Sequence, residues 1–194
     1  MDKSLFVLGG PAWINLVNTT YNANKQEIDT LDDRSATFQW LKENNAVRQS
    51  DLDALENKET LHALIHELRS LRSLCQIVLS DLEQNKEVSL DTIKQLQKMS
   101  EELNVRLTVA SAEEAFKLVC EGMSVKDHVL YHIIRSIFHT LETTSVSRIR
   151  NCEHEECRLY FVDTSKPGKR RWCSMEMCGN RKKAAEFYAK KKKK

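Results

Sequence analysis

Four of the six cysteines fall within a span of 27 residues, in the order Cys152-x4-Cys157-x15-Cys173-x4-Cys178. Zinc takes four ligands in a tetrahedron, and thiolate sulfur suits it. Two ligands from one turn and two from another are what a short chain needs to enclose the ion. Cysteine fills all four positions, so no place is left for a reacting water and a single zinc would be structural rather than catalytic. Four unrelated thiols and two disulfides are the competing readings, and His154, between the first pair, is an alternative ligand. With no secretory signal ahead of it, the paired spacing favours metal. Cys75 and Cys120 sit among apolar neighbours and read as small buried hydrophobes.

The segments around the cysteines suit this purpose. Residues 159–162, Leu-Tyr-Phe-Val, read as a strand, 164–168 as a turn, and 169–173 as a returning strand that carries the first pair to the second. Residues 179–188 read as a helix, which places Cys178 at a helix N-terminus where the dipole stabilises a thiolate. Tyr160, Phe161, Trp172 and Phe187 are candidates for the small apolar core. A segment of about 45 residues does not build a sufficient core without metal.

These residues carry a resemblance. Trp172-Cys173-Ser174-Met175-Glu176-Met177-Cys178-Gly179-Asn180-Arg181, with Lys183 beyond it, resembles the CGNR zinc finger. Cys152, Cys157, Tyr160, Phe161, Val162, Asp163, Ser165, Arg170 and Arg171 also match that pattern, so the likeness covers 150–188. Leu16-Val17-Asn18-Thr19, followed by Trp40-Leu41, resembles the helical ABATE domain that usually precedes this finger. The resemblance implies a bacterial, stress-related transcription regulator whose finger is the DNA-binding part.

Charge is segregated in the same way as cysteine. Residues 148–194 carry 15 Lys or Arg against 6 Asp or Glu, while the rest carries 15 against 22, within a formal net charge of +2. An acidic body with a basic end points to a polyanionic partner for that end. Lys169, Arg170 and Arg171 precede the second cysteine pair, and Asn180, Arg181, Lys182 and Lys183 follow it. Such cations neutralise phosphates, and Asn and Arg also have the chemistry to read base edges. Asn180 or one of the arginines has a competing use as a hydrogen-bond donor to the thiolates. Alternating strand residues face opposite ways, so the three consecutive cations cannot all meet one groove. Residues 190–194 form a lysine run that reads as an electrostatic assist.

The remainder must hold this end in place. Residues 12–18 follow Pro11 as a short helix, and 19–33 read as a polar loop. Short helices are expected over 35–44 and around Leu52 and Leu55. A leucine-rich stripe marks a long helix over 59–84, with a second helix over 90–104 folding back on it. The period then changes to two. Residues 105–109 and 115–120 predict a hairpin, and Ser124 and Asp127 form a capping box ahead of a central helix ending near 143–144. His128 and His132 have the spacing of a paired metal site but lack a third ligand, and read as structural.

The expected fold is therefore mainly α: a helical N-terminal domain with one small β-hairpin over 1–147, a treble-clef-like zinc finger over 148–190, and a basic tail at 191–194. Asn18, Thr19 and Arg34 are candidates for a small-molecule pocket in the helical domain, which would serve an unidentified effector. No P-loop, dinucleotide glycine pattern or nucleophile elbow is present, so the chain does not read as an enzyme. The stretch 5–17 is apolar, but only Lys3 supplies a basic flank, and no run reaches a membrane span. A cytoplasmic location follows as an expectation. DNA is the expected partner, with a protein partner, a homodimer or structured RNA as the alternatives.

Overall fold

The computed structural model describes residues 3–23, 26–112 and 115–191. The last three lysines of the basic tail and residues 113–114 of the expected hairpin turn lie outside the described residues. In chain order the elements are α1 (Ala12–Val17), β1 (Thr20–Ala23), β2 (Gln26–Asp29), α2 (Arg34–Glu43), α3 (Leu52–Glu56), α4 (Lys58–Asn85), α5 (Leu90–Glu101), β3 (Val105–Ala112), β4 (Ala115–Gly122), α6 (Val125–Thr143), β5 (Ile149–Asn151), β6 (Tyr160–Val162) and α7 (Asn180–Lys191). Among the described residues the strands pair as antiparallel two-stranded ribbons, β1 with β2, β3 with β4 and β5 with β6. No helix among the described residues is long and apolar enough to cross a membrane.

The long helix α4 begins where Asn57 accepts hydrogen bonds from the Glu59 and Thr60 amides, and stops at Lys86, whose backbone is left-handed at φ 64°. Its stripe from Leu61 to Leu82 is buried. The capping box of α6 forms as expected, with Ser124 and Asp127 each accepting the other's amide. Between α4 and α6 lies the short α1, every residue of which is buried. Six residues do not hold a helix by propensity alone, so tertiary bonds hold this one. The Trp13 indole donates to Thr140 at 3.0 Å and the Trp40 indole donates to the Asn15 carbonyl at 3.2 Å. Asn15 accepts from the Gly9 amide and donates to Asn44 and the Gly10 carbonyl, which locks the chain entering α1. Gly10 has φ +89°, a conformation that favours glycine.

Two expectations need correction. Residues 19–33 are not a polar loop but contain the β1–β2 hairpin, in which Tyr21 pairs with Ile28 and is itself buried. Its polar composition hid it, because β2 is mostly solvent-exposed and Asp29 is held from outside by Arg72 of α4, at 2.7 Å to each carboxylate oxygen. Residues 169–173 are not a strand. The partner of β6 is the upstream β5, with Ile149 opposite Val162 and Asn151 opposite Tyr160. His128 and His132 lie near the base of the β3–β4 hairpin, where burial pushes both imidazoles below their usual range.

Candidate metal centre

Two tight turns bring the cysteines together. Asn151 ends β5, and the Cys152 amide then donates to the Leu159 carbonyl while the Cys157 amide donates to His154, folding 152–157 into a knuckle. The second knuckle opens at Cys173, whose amide points at the Cys152 sulfur over 3.4 Å. Ser174 then caps a wide helical turn, Met175–Gly179, which delivers Cys178 directly to the start of α7. Gly179 lets the turn pack closely, since a Cβ would stand 2.7 Å from the Met175 sulfur and 3.2 Å from the Trp172 ring, and Met175 would have to shift.

The four sulfurs lie within 4.8 Å of one another, with Cys157 and Cys173 at 3.8 Å and Cys173 and Cys178 at 3.6 Å. Four sulfurs each about 2.3 Å from one zinc stand about 3.8 Å apart, so the cluster has the dimensions of a zinc tetrathiolate. All four thiols are free of disulfides, and they are the only metal-capable side-chain cluster among the described residues. His154 is not the fourth ligand: its Nδ1 accepts the Glu156 amide at 3.2 Å. Without metal, the thiols cannot ionise together. Bonds from Cys157 and Cys173 hold Cys152 low, the same contacts push Cys173 up, and burial lifts Cys178 to about 12. A dication is what allows all four to be thiolates at once.

Arg170 is drawn into building the site. Its guanidinium donates to the Trp172 and Cys173 carbonyls and lies 4.4 Å from the centre of the Phe161 ring. Its amide and that of Ser165 donate to the two oxygens of Asp163, which is fully buried. Burial works against ionisation of this carboxyl, but the bonds from Ser165 and Arg170 outweigh it and hold it at about 2. Arg170 is therefore occupied on the metal side and does not extend a free cation to solvent. We expect Arg170→Ala to lower zinc affinity about 10–100-fold in chelator competition, with Lys169→Ala unchanged.

The other cations divide cleanly. Arg171 pairs with Glu153 and Lys182 with Glu155 across the module. Among the described residues, exposed Lys169, Arg181 and Lys183 make no ion pair, and exposed Asn180 makes no hydrogen bond to a thiolate. No residue of the helix α7 is buried. Phe187 is thus not a core residue. Its place is taken by chain far upstream: Tyr21, with Leu5 and Leu8, packs against Leu159, Phe161 and the cysteines. A cavity of about 740 Å3 opens between β1 and the two knuckles, with Arg158, Met177 and Arg181 on its wall.

The candidate pocket residues are not brought together. Asn18 donates to the Tyr160 carbonyl at 2.8 Å and accepts its amide at 2.9 Å, pairing with β6 as a strand would. Thr19 is buried, donating to Leu16 and accepting from Arg72, while Arg34 is exposed on α2. None of the three lines this cavity or the second one beside α2. Asn18 and Thr19 are bonded into the frame, with no face left for a ligand. Asn18 and Tyr21 are what the sequence reading missed as parts of the site; a buried aromatic alternating within a polar segment was the available signal for Tyr21.

The family model of the CGNR zinc finger matches residues 148–191. No curated protein matches the chain. The four clustered cysteines, Cys152, Cys157, Cys173 and Cys178, are consistent with one structural zinc in such a finger.

Proposed function

We propose that the zinc module is a DNA-binding finger and that the chain is a transcription regulator, with 1–147 an ABATE-like helical domain, 148–190 a treble-clef-like finger and 191–194 a basic tail. The arrangement of knuckle, β6, second knuckle and helix supports the treble-clef reading. One observation carries the DNA reading: α7 has no buried residue, and its Asn180, Arg181 and Lys183 are exposed and unpaired among the described residues. Twelve residues of helix span about 18 Å, a length that fits a major groove. Phosphate binding by such cations is salt-dependent and only weakly sequence-selective. The acidic body would receive the signal, and an effector in the cavity beside Arg158 and Arg181 would touch body and finger at once.

The test is DNA affinity of the zinc-loaded full chain across a salt series. Affinity should fall steeply with salt, and Arg181→Ala with Lys183→Ala should reduce the log–log slope by about 2. Absence of binding at low salt, in protein holding one zinc, would sink the reading. A second reading is favoured by Phe187 and Tyr188, 63% and 64% exposed and packed edge to face. Such a pair suits stacking on unpaired RNA bases. Tighter binding to single-stranded RNA than to duplex, lost in Tyr188→Ala, would select it. A protein-docking role, with the finger's cations meeting an acidic partner, is the remaining alternative, which loss of a protein partner in the Arg181→Ala variant, with DNA affinity unchanged, would support.

A further inference from the structure

The β3–β4 hairpin is an arm with an uncovered apolar face. Its register places Val109 opposite Leu118, Leu107 opposite Cys120 and Ser111 opposite Phe116, all on one side of the ribbon together with Val105. Alternation of this kind ordinarily buries the apolar side. Here Phe116 is 82% exposed, Leu118 and Val109 69%, Leu107 67% and Val105 44%. The charged residues Arg106, Lys117 and Glu121 all lie on the opposite side, where Arg106 reaches Glu121 across the strands at 3.5 Å.

The base of the arm is anchored. Arg48 donates to the Gly122 carbonyl at 3.0 Å, and the Met123 amide donates to Asn104 at 2.8 Å. These bonds tie the base of the arm to the body, which lowers the ordering cost of docking. A two-stranded ribbon with nothing on its apolar face is marginal in water by itself.

We propose that this face associates with the same face of a second copy, arm against arm about a twofold axis. An isologous contact requires a surface that can meet itself, and a face with no charge buries none when it does so. The five large side chains expose on the order of 600 Å2 per chain. Two copies covering it fully would therefore remove up to about 1,200 Å2 from water, the lower bound of a stable interface. No residue of the zinc module takes part, so the inference stands independently of the nucleic-acid reading.

Sedimentation equilibrium of the zinc-loaded full chain tests this. The expected result is a dimer at micromolar concentration whose dissociation constant is insensitive to sodium chloride and rises at least about 100-fold in Leu118→Glu. Leu118 is exposed in the single chain, so circular dichroism of that variant should be unchanged. Ala110→Lys, exposed on the opposite side of the arm, should leave the dimer intact. A wild-type monomer at about 200 μM would overturn the proposal. So would a dimer that survives Leu118→Glu, or one lost equally in Ala110→Lys.

Discussion

Cys173→Ser should abolish zinc retention and unfold residues 148–191 while leaving the helical body folded. Cys173 is fully buried at the centre of the cluster, close to the sulfurs of Cys157 and Cys178 and with its amide on Cys152. Structural zinc contributes an apparent 10–16 kcal/mol or so in small fingers at neutral pH, and ordinary domains are stable by only about 5–15 kcal/mol. A module whose own core is Leu159, Phe161 and its cysteines cannot replace that. Metal analysis should fall from one zinc per chain to a trace. Amide exchange should lose protection in β6 and α7 and keep it in α4 and α6. The body should not be indifferent, because Val162 belongs to its core and Tyr160, Ile149 and Val146 pack against it. Loss of about 2 kcal/mol of such packing lowers the midpoint of thermal unfolding by roughly 4–8 °C. Chelation of the wild-type chain should reproduce the same pattern. Full zinc retention by Cys173→Ser would count against the four-cysteine site.

What was legible beforehand follows a physical division. The four ligands were, because thiolate chemistry demands a residue type that is rare elsewhere and the pairs sit close in sequence. The stripe of α4 and the Ser124–Asp127 box were legible for a similar reason, since helix bonds and caps are local and repeat with a fixed period. Strand pairing is not local. The sequence places a turn at 164–168 between two apolar runs, and nothing in those residues reveals that β6 pairs backwards with Ile149 to Asn151. The role of Arg170 was hidden in the same way. Read in sequence it is one of three consecutive cations, whereas its guanidinium turns inward onto Phe161 and the Cys173 carbonyl. Tyr21 completes the apolar packing of a module more than 120 residues away, and only the folded chain brings the two together. The alternation in β3 and β4 was correctly read as a hairpin, but periodicity does not tell which side of a ribbon meets the core.

Asn18→Ala should separate the body from the metal module without removing the metal. The Asn18 amide makes both hydrogen bonds to the peptide of Tyr160, at 2.8 and 2.9 Å, where the next strand of a sheet would otherwise lie. The substitution leaves an amide and a carbonyl without partners in a partly buried place, which costs about 2–3 kcal/mol. The midpoint should fall by roughly 5–10 °C. Asn18→Asp should be no rescue, because it keeps the acceptor for the Tyr160 amide but turns a carboxylate oxygen on the Tyr160 carbonyl. Zinc content should stay at one per chain, since none of the four thiols is touched. Val162 still donates to the Gly9 carbonyl at 3.0 Å, so docking is weakened rather than lost. Relative to the wild-type chain, the unfolding transition should therefore broaden or split, with the body and the module melting apart, as calorimetry would resolve. An unchanged midpoint with altered binding of a small molecule would instead restore Asn18 as a ligand-pocket residue. The clamp also gives the proposed signal a route. A ligand that shifts α1 or β1 moves Asn18 or Tyr21, and both are bonded or packed directly to the strand and knuckles that lead into α7.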